Sequence, residues 1–401
     1  MDFILIFVAI ILGILLGIIT GLTPGIHINL VSSLIVAYSY YILKILDPLT
    51  ITITITAMAV THSILDIIPT TILGIPNSDN LSTLLPAHKL TLEGKARKAI
   101  LYGLLGAILG IIITTISIPF LIKLIPLIYT KVKEYIPLIL IVITTVIISQ
   151  TKNKINSLIF FLVAGILGIL SFNIKTMDQP LLPLLSGVFG ISALLLGIKN
   201  KIKIPDQEEN IKIEISKLKL IKYSITTAMS SFLTNFLPGL TSSHTALISN
   251  KISKVENQEE YIILSNAANS SATIISFIAF YTINKTRSGA VAAIQYLITT
   301  ISLENLILIT AVVLITTSIS TILALKLSKK IIKIFTKLDY KKINIIIIFL
   351  IVSLVILITR LEGLLILITS TSLGILTEKL NIEKINITGC LIFPVILYSL
   401  I

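Results

Sequence analysis

The sequence predicts an all-α polytopic membrane protein, with about 12–14 transmembrane helices arranged as two inverted-topology repeats containing broken and re-entrant helices. Three observations predict it. Of 401 residues, 55% are hydrophobic and only 13% charged, with a mean hydropathy of +1.02; a soluble domain carries about twice that charged fraction. Uncharged apolar runs of 17 or more residues recur along the chain, as membrane spans require. A proline–glycine break followed by a polar stretch occurs once in each half.

The apolar runs fall at 3–22, 24–43, 49–75, 99–122, 136–149, 155–172 and 179–198. A polar linker, Lys199 to Lys222, follows with seven Lys and four acids. Further runs cover 223–237, 239–250, 261–283, 305–325, 343–359, 361–377 and 385–401, and 284–302 reads as a re-entrant piece. The chain thus divides into a first repeat at 1–198, a linker at 199–222 and a second repeat at 223–401. Seven spans per repeat is an odd number, so the second repeat enters the membrane upside down relative to the first. Run 239–250 is short for a core of about 30 Å.

Lysine placement agrees with this topology. With residue 1 outside, the inner loops hold 24 of the 32 Lys+Arg, and the first 43 residues hold none. The N-terminus is therefore expected on the extracytoplasmic side of a cell-membrane protein. The same rule explains the net charge of +13 without a nucleic-acid partner. Lys123, Lys131 and Lys133, in one outer loop, run against the rule. MDFILIFVAIILGILLGIITG has no basic leader and no small-residue cleavage site, so it reads as a retained helix. The single Cys390 and the scattered histidines offer neither a disulfide nor a metal-ligand spacing. No cofactor is expected.

Chemistry is expected where the apolar pattern breaks. Pro24-Gly25 and Pro238-Gly239 end the first and eighth runs, and His27 and His244 follow them. A second break in each half spans Gly74 to Asn80, with Asn77, Ser78 and Asp79, and Asn284 to Gly289, with Lys285, Thr286, Arg287 and Ser288. In hydrocarbon, irregular backbone is tolerated only where protein or water covers it. Half-helix starts present free N–H groups and partial positive charge to an anion. Each break also has a plainer reading as a turn at the aqueous boundary. His62 and Asp66, four apart on one helix face, are ionisable groups inside an apolar run; they read as an ion-coupling pair or as a structural hydrogen bond. Asn266, Asn269, Ser270 and Ser271 form a polar band that serves either as interhelical glue or as a site wall.

These motifs resemble those of the TctA-like family, the large membrane permease subunit of the tripartite tricarboxylate transporters. Gly74-Ile75-Pro76-Asn77-Ser78 fills the family's N-I-P-G segment, and Glu93 to Ile100 (EGKARKAI) fills its Q-G-R-A-x-R-A-L segment. In the second half, Leu237-Pro238-Gly239 matches I-P-G, Ala268-Asn269 matches the start of A-N-N-A, and Asn284 to Ser288 aligns with G-I-P-G-S. Asn77, Asn284 and Arg287 stand where the family carries glycine. The resemblance implies an ion-coupled carrier of organic anions, operating in relatives with a small membrane subunit and an extracytoplasmic binding protein.

Three functions compete on the sequence. The first is a secondary transporter of small di- or tricarboxylates driven by Na⁺ or H⁺. Its substrate site draws on Pro24, Gly25, Asn77, Ser78, Pro238, Gly239, Asn269, Ser270, Lys285, Thr286, Arg287 and Ser288, and its coupling groups are His62, Asp66 and Asp79. The second is a translocase of a lipid-linked phosphate, for which Lys285 and Arg287 serve equally well. The third is an intramembrane enzyme, which has only His62 and Asp66 to work with. The expectation is a transporter and not an enzyme.

Overall fold

Proline, glycine and side-chain caps decide where each helix of this chain begins and ends. The computed structural model describes residues 3–23, 26, 28–74, 81–177, 179–199, 204–208, 211, 213–234, 237, 239–337 and 340–400. In the first half the helices are α1 (Phe3–Leu22), α2 (Ile28–Ala37), α3 (Ser39–Ile42), α4 (Pro48–Leu65), α5 (Ile67–Leu73), α6 (Leu81–Leu92) and α7 (Ala96–Ile116). They continue as α8 (Ile118–Val132), α9 (Ile136–Ser149), α10 (Lys154–Phe172), α11 (Leu181–Leu185) and α12 (Ser192–Lys199). The second half holds α13 (Lys217–Thr234), α14 (Ser242–Ser253), α15 (Gln258–Ile283), α16 (Gly289–Leu297), α17 (Leu303–Lys337), α18 (Tyr340–Lys379) and α19 (Gly389–Leu400).

The protein is an all-helical polytopic membrane protein. Among the described residues, nine helical stretches are long and apolar enough to cross a bilayer. The sequence's larger number of runs has physical reasons. Runs 343–359 and 361–377 join in α18, which turns at Arg360 (φ 56°, ψ −152°). Asn344 donates to the Leu194 carbonyl, whereas Ser370 donates to that of Pro183 and Gly374 lies on Val188 and Ser192. The first arm of α18 thus runs antiparallel to α12 and the second parallel to it, which makes α18 a hairpin. Run 239–250 becomes α14, whose 12 residues reach only about 18 Å. Run 223–237 begins earlier than its apolar part, since α13 already starts at Lys217 within the charged linker.

Helix α4 shows how the membrane overrides local pattern. Thr50 to Thr56 alternates Thr and Ile, a period that suits a strand in water. In hydrocarbon a lone strand leaves its backbone unsatisfied, so the helix wins. Asp47 caps it, accepting from Leu49 and Thr50 N–H at 3.0 Å each, with Pro48 at the first position. The threonine hydroxyls turn back onto their own helix, Thr52 to Pro48 O at 2.9 Å and Thr56 to Thr52 O at 2.8 Å.

The two halves pair crosswise. Helix α7 packs on α15, and α17 packs on α4; α16 packs on α2, and α6 on α14; α10 packs on α19, and α18 on α11 and α12. The α7–α15 contact is close because Gly106 and Gly110 face the backbone of α15. A Cβ on either would stand 2.2 Å from Ile263 O or 2.5 Å from Ala267 O. Small residues are how membrane helices gain packing where lipid is as apolar as leucine. The linker also belongs to the fold: Gln207 accepts from Ala96 N–H at 2.7 Å and donates to Thr91 O, fixing the α6–α7 elbow that carries the EGKARKAI motif. Lys98 of that motif pairs with Glu259 at 2.9 Å.

A leucine at Gly106 is therefore expected to push α7 off α15 and to destabilise the protein by about 2 kcal/mol or more. Alanine at Gly190, where a Cβ meets only Ile351 Cδ1 at 3.9 Å, is expected to be tolerated. Thermal unfolding in detergent checks both.

Candidate functional site

A cavity of about 640 Å³ opens between the two halves. The first half contributes Ile28 at the start of α2, His62, Ser63 and Asp66 at the end of α4, and Gln179 and Leu185 near α11. The second half contributes Thr234, Gly239 to Ser242 and Thr245 around the start of α14, Asn269 and Thr273 of α15, and Arg287 to Val291 at the start of α16. Leu391, Pro394 and Tyr398 of α19 close the remaining wall. Two helix beginnings in the second half and one in the first thus converge on one space.

Each beginning follows from its local sequence. Helix α15 ends at Asn284 in the left-handed conformation (φ 52°, ψ 37°), a position favoring glycine and, next best, asparagine. Asn284 therefore takes this conformation without a glycine. Gln295 staples the hairpin by donating to Asn284 O at 3.2 Å and Asn284 Oδ1 at 2.9 Å. In the first half, α5 ends in the same way at Gly74 (φ 65°). Ser288 then caps α16, its hydroxyl accepting from Val291 N–H at 3.2 Å.

Helix α14 is capped differently. Thr241 N–H donates to Nδ1 of His244 at 3.1 Å, so that nitrogen carries no proton. The other, Nε2, then donates to Thr388 Oγ1 at 3.2 Å. His244 is buried and acts here as a cap that ties α14 to the segment before α19.

Asn269 joins three helices across the cavity wall. It donates to Ser63 Oγ of α4 at 3.2 Å and accepts from Ser242 Oγ of α14 at 3.2 Å. Of its neighbours in the polar band, Ser271 is glue, donating to Gly110 O of α7 at 3.2 Å, whereas Asn266 donates to Ile262 O of its own helix at 2.9 Å.

The structure brings together His62, Asp66, Gly239, Asn269, Arg287 and Ser288 in one lining. Three expected binding residues stand elsewhere. Lys285 is exposed beyond the lining, Thr286 is half-buried and donates to Gln295 Oε1 at 3.5 Å, and Ser270 is buried in α15 away from the cavity. Pro24, Gly25, Asn77, Ser78, Asp79 and Pro238 lie outside the described residues. Sequence reasoning did not find Ser63, Gln179, Thr273 or Tyr398. Ser63 sits beside His62 and shared its signal; Gln179 and Tyr398 carry none, since only the packing of α11 and α19 brings them here.

Among the described residues no cluster of three or more His, Cys, Asp or Glu could hold a metal ion. The model of the tripartite tricarboxylate transporter TctA family matches residues 7–389. An uncharacterized protein of Methanocaldococcus jannaschii is 31% identical over 353 residues, covering 86% of this chain and 87% of that protein. No solved structure matches the chain. The match over residues 7–389 places the chain in the tripartite tricarboxylate transporter TctA family, a family of membrane transporters and not of enzymes.

Proposed function

We propose that this protein is a secondary active carrier of small di- and tricarboxylates and that the cavity between its halves is the substrate site. The observation that carries this reading is the convergence of Arg287 with the starts of α14 and α16 on a single space of about 640 Å³, a size that suits a small molecule. A guanidinium grips a carboxylate with two parallel hydrogen bonds. The N–H groups at the start of α16 add partial positive charge, and Gly289 lets an anion approach the chain closely.

Asp66 and His62, which also line the cavity, are the groups suited to couple anion movement to Na⁺ or H⁺. The crosswise pairing of helices supports two inverted repeats, 1–198 and 223–401, that rock about the cavity. The predominance of lysine and arginine in one set of loops supports an extracytoplasmic N-terminus. The family to which the chain belongs supports a small membrane subunit and an extracytoplasmic binding protein as partners.

Titration of purified protein with citrate tests the site. Arg287→Ala is expected to weaken binding by about 1.5–3 kcal/mol, the scale of hydrogen bonds to a charged group. Lys285→Ala, outside the lining, is expected to change little. Equal affinity in wild type and Arg287→Ala would remove the proposed site.

Asn269→Ala removes both bonds between α4, α15 and α14. Transport of labelled citrate in proteoliposomes is expected to fall, with a loss of stability of about 1–2 kcal/mol. Asn269→Asp, which keeps the acceptor for Ser242 but not the donor to Ser63, is expected to stand between the two.

A further inference from the structure

Helices α13 and α14 lie antiparallel and meet through hydroxyls instead of apolar side chains. At the cavity end, Thr234 and Thr245 bond at 2.5 Å, and both line the cavity. At the far end, Thr226 and Ser253 bond at 2.6 Å. The two contacts are eight residues apart on each helix, so the seam between them is about 12 Å long. Midway along it stands Ser249, and Thr227 follows Thr226 at the far end; both are fully buried. Neither hydroxyl has a hydrogen-bond partner among the described residues. A helical Thr or Ser readily bonds the carbonyl four residues back, as Ser224 and Ser230 do here. Two buried hydroxyls that decline that bond on one seam point to water as their partner.

The far end opens onto a charged network. Tyr223, one turn before Thr226 and Thr227, donates to Glu260 Oε2 at 2.6 Å. Lys219 donates to Glu260 Oε1 at 2.8 Å and to Glu256 at 2.9 Å. Lys222 donates to Ser253 O at 2.8 Å. Next to Glu260, Glu259 pairs with Lys98 of α7. The Glu256 side chain is 75% exposed whereas that of Glu260 is 6% exposed. Glu260 thus sits between an aqueous rim and a buried hydroxyl seam whose other end is the cavity.

We propose that this seam is a hydrated proton path joining Glu260 to the cavity, and that it makes the carrier proton-coupled. The inference rests on the transport reading above. A hydronium ion at the rim gives a proton to the Glu260 carboxylate and leaves as water. The acid passes it into the seam, where each hydroxyl or water accepts one proton and donates another to the next oxygen. The proton ends on Asp66, the carboxylate among the described lining residues. No electrons move, and each hydroxyl or water turns back to its starting orientation before the next proton enters.

Two measurements test it. In proteoliposomes, Glu260→Gln is expected to lower citrate accumulation driven by a pH gradient by about tenfold or more, the scale of losing a positioned proton-transfer group. Citrate counterflow at equal pH on both sides needs no net proton movement and is expected to stay near wild type, which also shows that the variant is folded. Accumulation unchanged in Glu260→Gln, or wild-type uptake that follows Na⁺ with no proton movement, would overturn the path. Absence of citrate counterflow in wild type would instead count against the carboxylate reading. Seam hydration is tested without substrate: Thr227→Cys and Ser249→Cys are expected to react with a small methanethiosulfonate in detergent. Cys390, fully buried, serves as the unreactive internal control. Failure of both to react would show a dry seam and overturn the proposal on its own.

Discussion

Hydrocarbon offers no partner for a peptide N–H or C=O, and the whole structure answers that constraint. A helix can be interrupted inside the membrane only where its freed groups find caps or face a wet interior. This chain interrupts its helices repeatedly, and the described breaks close in distinct ways. Asn284 and Gly74 take the left-handed cap, Ser288 offers a hydroxyl, and Thr241 with His244 forms a reciprocal box. The same capping leaves the starts of α14 and α16 facing the cavity. The cost of interrupting a helix thus becomes a local positive potential where an anion can sit.

Rigidity around that cavity comes from two different kinds of seam. The α7–α15 contact is tight and dry, with glycines set against backbone. The α13–α14 contact is built from hydroxyls bonded across at both ends. Polar contacts of this kind are modest in energy within membranes because unfolded helices in lipid also find partners.

Much of this was legible in the sequence because the bilayer makes hydropathy decisive. Span existence and the helix ends at Gly74 and Asn284 follow from where charge, glycine and asparagine fall. Arg287 and Ser288, which line the cavity, stand out for the same reason: a cation and a cap between apolar runs. Lys285 stood out equally but points away from the cavity, because orientation within a five-residue turn depends on Asn284's left-handed backbone. Gln179 and Tyr398 remained hidden, since no local pattern tells which distant helix closes a wall. Span number was blurred by helices such as α14, too short to cross alone, and by α18, whose two arms meet at one residue.

One cavity between the halves is the proposed anion site. Thr273, half-buried in its wall, offers a direct probe through Thr273→Cys, with Cys390 buried and silent. The rate at which a methanethiosulfonate labels this cysteine, measured with and without saturating citrate, should fall when citrate is bound, and Arg287→Ala should abolish that protection. A labelling rate indifferent to citrate, at concentrations that saturate binding measured independently, would show that the anion is held elsewhere.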